Sequence, residues 1–156
     1  MVLRKFQGFS QTNATDTGLT DRILYVEDED SNWNVTELHL RGKYMLDRAR
    51  DSRETFDRLN ANKYDLILLD IQLAGSEYDG IQICKILKRL PGVAIPPEAK
   101  DLDYEKTPMV FVTAYAERYS KEMLLKAGGD DVITKPVDFT RLRLVSSRLL
   151  VRSIVY

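Results

Sequence analysis

Four apolar runs in this chain stop at side chains able to do chemistry. Ile23-Leu24-Tyr25-Val26 runs into Glu27, Asp28 and Glu29, and Leu66-Ile67-Leu68-Leu69 runs into Asp70. Met109-Val110-Phe111-Val112 ends at Thr113-Ala114, and Val132-Ile133-Thr134 ends at Lys135-Pro136. A buried strand that stops at a carboxylate sets it at the carboxyl edge of a sheet, where open α/β folds hold their ligands. Carboxylates from neighbouring strands repel and raise one another's pKa unless a cation neutralises them, and hard oxygen donors select magnesium or manganese. A carboxylate nucleophile, a hydroxyl, an ammonium and a divalent cation at one place suit phosphoryl transfer, which depends on positioning and charge neutralisation.

To meet at one edge, these strand ends must belong to one parallel sheet. From Asp21 onward short apolar runs alternate with longer amphipathic ones, which predicts a parallel sheet with helices on both faces. The expected strands cover 23–26, 44–49, 66–69, 109–113 and 132–134, and the expected helices 31–40, 52–62, 80–90, 117–127 and 139–154. Asp51 with Glu54 reads as a capping box, Asp79 caps the third helix, and Gly128-Gly129 closes the fourth. Four prolines fall between 91 and 108, a connection far longer than the usual 2 to 6 residues, and the expectation is a solvated excursion. Residues 1–20, polar and without period, read as a flexible arm, leaving 21–156 as a single domain.

Composition narrows the function classes. The chain has 156 residues, 44% apolar and 30% charged, enough for one core without staples. The single cysteine, Cys84, excludes an internal disulfide and a cysteine-based zinc site and suits a reducing cytosol. With 23 basic and 24 acidic residues, no global field recruits nucleic acid or an anionic membrane. No run is long enough for a membrane span or signal peptide, so a cytoplasmic location is expected. No Gly-x-Gly-x-x-Gly follows the first strand, which removes dinucleotide binding.

The ordered matches Val26-Glu27-Asp28, Leu68-Leu69-Asp70, Asp79-Gly80, Val112-Thr113-Ala114 and Gly128 to Pro136 resemble the receiver domain of two-component response regulators. That resemblance implies a doubly wound five-stranded parallel sheet of order 2-1-3-4-5. It also implies that Asp70 accepts a phosphoryl group from a phosphohistidine on a sensor histidine kinase or phosphotransfer protein. Asp28 and Asp70 would hold Mg²⁺ (or Mn²⁺) directly, Glu27 through water and Gln72 through its backbone carbonyl. Lys135 would pair with a phosphoryl oxygen and Thr113 would bring its hydroxyl to another. Gln72 and Tyr115 would tune access of water to the phosphoryl group. The family implies no enzyme beyond self-phosphotransfer and slow self-dephosphorylation. It also implies a possible homodimer or target surface on the fourth helix, fifth strand and fifth helix. Neither a nucleic-acid-binding output within this chain nor a membrane contact is expected.

The chain departs from the family at several points. Val132 stands where most members carry an aromatic switch residue, Ala74 replaces a usual proline, and the spacing from Asp70 to Gly80 is wider. A pseudo-receiver that binds without phosphorylation is the alternative, although its pocket would normally be eroded. A dehalogenase-type phosphatase would need an acid at position 72, which is Gln. On the fifth helix Phe139, Leu142, Val145 and Leu149 suit a sheet-facing stripe, and Leu144, Val151 and Val155 form a second stripe suited to a partner. His39 and Cys84 read as packing, Trp33 as packing or a reporter of metal binding, and Arg141, Arg143, Arg148 and Arg152 as a solvated face.

Overall fold

A computed structural model describes residues 21–114 and 116–155, with side chains as far as Val151. The expected arm over 1–20, Tyr115 and the side chains of Arg152 and Val155 lie outside the described residues. The elements follow in the order β1 (Arg22–Val26), α1 (Asp30–Leu40), β2 (Met45–Ala49), α2 (Ser52–Ala61) and β3 (Leu66–Leu69). Then come α3 (Gly80–Leu87), a 3₁₀ turn (Pro97–Ala99), β4 (Met109–Thr113), α4 (Lys121–Lys126), β5 (Asp131–Thr134) and α5 (Phe139–Val155). The five strands form one parallel sheet in the order β2-β1-β3-β4-β5.

Period-two alternation assigns each strand side chain to one of two cores. Leu24, Val26, Ile67, Leu69 and Phe111 face one side, where Phe56, Ile83, Leu87 and Leu124 from α2, α3 and α4 cover them. Ile23, Tyr25, Leu66, Leu68, Val110 and Val112 face the other, under Leu40 of α1 and Leu142, Val145 and Leu149 of α5. All four residues of β3 are buried, as expected for the central strand. At roughly 1.5–3 kcal/mol per fully buried large apolar side chain, these two layers are what hold the sheet between its helices.

Caps fix the helix starts. The Asp51 carboxylate accepts the Glu54 N–H, but Glu54 reaches back to the Arg50 N–H, one residue before the cap, so the expected box is displaced. Asp79 and Gln82 form a complete capping box on α3. The fourth helix is shorter than the 117–127 pattern suggests, because Ser120 caps it and starts it at Lys121. Gly128, at φ +112, closes it, and a side chain there would strike Lys88.

The 91–108 connection is exposed over much of its length, as expected for a solvated excursion, but it is anchored to the core. Ala99, Leu102 and Tyr104 are buried in the α2–α3 core. The Tyr104 hydroxyl donates to the Asn62 carbonyl (3.1 Å) and accepts the Tyr64 N–H (3.2 Å). Arg89, at φ +52, donates to the carbonyls of Ala99, Lys100 and Leu102, and the Lys88 ammonium donates to those of Glu105 and Thr107. Two cations thus satisfy the backbone acceptors that a packed loop takes away from water. No helix among the described residues is long and apolar enough to cross a membrane.

Candidate functional site

Strand register brings the reactive ends together. Val26 of β1 pairs with Leu69 of β3, so Glu27 and Asp70 leave the sheet side by side, and the Asp70 N–H donates to the Val26 carbonyl (3.0 Å). On the other flank Thr113 pairs with Thr134, and the Lys135 N–H donates to the Thr113 carbonyl (2.8 Å), which swings Lys135 across the edge. The Lys135–Pro136 peptide is cis.

The Lys135 ammonium bridges two acids, lying 2.7 Å from Glu27 Oε1 and 3.0 Å from Asp70 Oδ2. Glu27 is fully buried with both oxygens engaged: Oε1 also accepts the Tyr25 hydroxyl (2.9 Å), and Oε2 accepts the Glu29 N–H (3.1 Å). Asp70 Oδ1 accepts the Ile71 N–H (2.7 Å). Asp28 is half-buried, and its Oδ2 accepts the Ala74 N–H (3.0 Å), tying the acid loop to the segment after β3. A cleft of about 350 Å³ opens above these groups, lined by Asp28, Asp70, Gln72, Ala114 and Lys135 among others.

Burial pushes the Asp70 carboxyl up to about 6, the Lys135 charge opposing this and the Glu27 charge adding to it. Burial works against the Lys135 charge, yet its bond to Glu27 and the fields of Asp70 and Glu27 raise its pKa above the ordinary lysine value. The site therefore holds more acid than base. Glu27, Asp28 and Asp70 each offer an oxygen, all within 4.8 Å of one another. An all-carboxylate donor set of that spacing fits a hard divalent cation.

The structure thus gathers Glu27, Asp28, Asp70, Gln72 and Lys135 around one cleft. Thr113 is enclosed at the end of β4, with its neighbour Ala114 on the cleft wall. Val132 lies lower on β5, half-buried against the α2–α4 core. His39 packs on Phe139 at 3.9 Å between ring centres, and Cys84 is a buried free thiol in α3.

Other residues matter that spacing alone does not single out. Tyr25 reaches Glu27 from within its own strand, which only the alternation of β1 would suggest. Gly80 is required sterically, since a Cβ there would lie 1.9 Å from the Asp70 carbonyl oxygen. Asp131, at the start of β5, collects Lys121, Arg141 and Arg148 at 3.5, 3.3 and 3.1 Å, so two arginines expected to be merely solvated hold a buried acid. Burial would raise the Asp131 pKa, but the Val132 N–H, Lys121 and Arg141 hold it low.

Residues 23–146 match the family model described as the response regulator receiver domain. The response regulator ArlR of Staphylococcus aureus is 31% identical over 122 residues, 78% of this chain and 48% of that protein. The chain thus spans about half the length of the curated relatives it matches. Among solved structures, a two-component response regulator from Clostridium difficile superposes with a TM-score of 0.68 at 28% identity, covering 86% of this chain and 98% of that one. NtrX from Brucella abortus superposes with a TM-score of 0.71 at 25% identity, covering 86% of this chain and 27% of that one.

Proposed function

Because the chain belongs to the response regulator receiver family, we propose that Asp70 is its phosphoacceptor and that phosphorylation there switches a protein-interaction surface. The observation that carries this reading is a buried carboxylate open to a cleft, with an ammonium at 3.0 Å and two further acids beside it. An Asp70 oxygen would form the bond to phosphorus as the bond to the donor's imidazole nitrogen breaks, the imidazole leaving with its electron pair. Asp28 and Asp70, with Glu27 through water and the Gln72 carbonyl, would hold Mg²⁺. When bound, that cation supplies positive charge between the carboxylates and the phosphoryl oxygens.

The remaining steps belong to this chain. Lys135 exchanges its Asp70 contact for a phosphoryl oxygen while Glu27 keeps it anchored, so the ammonium is placed before the group arrives. Thr113 turns its hydroxyl toward the cleft, and that turn shifts β4 and α4. Val132 offers no ring to follow it, so the signal leaves through β4 and α4 rather than an aromatic rotor. Gln72 on the cleft wall, together with Tyr115, governs access of water and hence the lifetime of the acyl phosphate. The donor would be a sensor histidine kinase or a histidine phosphotransfer protein in the cytoplasm. The output surface would be α4, β5 and α5, where Leu144 and Val151 are exposed.

Beryllofluoride with Mg²⁺ mimics the phosphoryl group and tests the switch without a kinase. Amide resonances of residues near 28, 70, 113 and 135 should move first, followed by those of α4 and β5. Shifts confined to the 27–30 loop would leave a cation-binding module and sink the switch.

A further inference from the structure

Asp28 sits between two contacts made by one buried side chain. Arg48, on β2, is 8% exposed; its Nε donates to the Glu27 carbonyl (2.9 Å) and its Nη1 to Asp30 Oδ1 (2.7 Å). The guanidinium therefore grips the backbone just before Asp28 and the first helical residue of α1 just after it. Its Nη2 is buried without a hydrogen-bond partner, a cost tolerated where the other two contacts define the geometry. Two neighbours fix the arginine in turn. The Trp33 ring lies 5.9 Å from the guanidinium carbon, and Arg58 Nε donates to the Arg48 carbonyl (3.0 Å). Asp30 answers the grip with one carboxylate oxygen at 2.7 Å, although its side chain is 77% exposed.

We infer that Arg48 is a positioning residue for the divalent cation: it clamps the acid loop on both sides of Asp28, so that Glu27 and Asp28 present their carboxylates at a fixed spacing. The inference rests on the cation site proposed above. A guanidinium is suited to the task, because its planar fork can serve a carbonyl and a carboxylate at once, which an ammonium cannot do with the same rigidity. Groups that orient metal ligands from behind typically change metal affinity by about 10–100-fold when removed. The clamp opposes a second effect of the same residue, the repulsion between its charge and an arriving cation, so the sign of the change decides between them.

The experiment is a Mg²⁺ titration of the full chain, followed through the amide shifts of residues 27–30, with thermal unfolding in chelator recorded for each variant. Arg48→Met should weaken Mg²⁺ binding about tenfold. Arg48→Lys, which keeps the charge and one donor, should fall between it and wild type. If Arg48→Met binds Mg²⁺ more tightly, charge repulsion dominates and the inference is overturned; equal affinity in all three overturns it as well. Should Arg48→Met fail to fold, Arg48→Lys decides: wild-type affinity refutes the clamp, and weaker binding by a folded protein supports it. An Asp28→Ala control separates the levels. Wild type that binds no Mg²⁺, or binds it unchanged without Asp28, removes the proposed cation site and the clamp with it. Wild type that needs Asp28 but ignores Arg48 removes the clamp alone.

Discussion

Asp70 carries a charge where the fold would rather have none. Burial holds its carboxyl near 6 although the Lys135 ammonium lies 3.0 Å away, and the charge of Glu27 adds to the rise. The sign of the pH dependence follows. A carboxyl whose folded pKa lies above its unfolded value binds its proton better in the native state, so stability falls as pH rises from about 4 to about 6. Asp70→Asn keeps the shape, leaves Lys135 its Glu27 partner and removes the penalty. In chelator the variant should match wild type near pH 4 and exceed it by on the order of 2 kcal/mol above pH 7. Urea unfolding at the two pH values checks this, and a difference that does not change with pH would show that burial does not raise the Asp70 carboxyl. A cation or a phosphoryl-mimicking ligand with its cation should erase the difference by binding only the folded acid site.

At the scale of elements, α5 shows how far a pattern can be read. The stripe of Leu142, Val145 and Leu149 is buried on the sheet as its spacing of three and four requires, and Leu144 and Val151 remain 67% and 61% exposed. Replacing both with Glu should leave stability within about 0.5 kcal/mol, since neither is packed. The same variant should lose self-association or target binding while Asp70 still accepts a phosphoryl group. Sedimentation of the phosphorylated and unphosphorylated forms would read the outcome, and unaltered association in both would remove α5 from the output surface. The 91–108 connection was not legible in this way. Its prolines signal irregular backbone correctly, but its burial depends on Tyr104 meeting Asn62 and Tyr64 and on Arg89 turning to positive φ to gather three carbonyls, all pairings between distant residues. The Asp131 cluster escaped for the same reason, since Lys121, Arg141 and Arg148 belong to two helices that only the folded sheet edge brings to one acid.

For the molecule as a whole, the location of the site could be read because four apolar runs end in chemically distinct residues, and a parallel sheet has only one edge at which such ends can meet; the strand order came only from the resemblance to the receiver family. The internal wiring of that site could not. Tyr25 and Lys135 sharing one oxygen of Glu27, and Gly80 leaving room for the Asp70 carbonyl, are matters of a few tenths of an ångström rather than of spacing along the chain. This wiring serves one nucleophile, Asp70, and intact-mass measurement after incubation with acetyl phosphate is the sharpest test of that role. Wild type in Mg²⁺ should gain a single phosphoryl group, while wild type in chelator, Asp70→Asn in Mg²⁺ and Asp28→Ala in Mg²⁺ should gain little or none. Wild-type levels of phosphoryl group on Asp70→Asn would show that another residue is the phosphoacceptor.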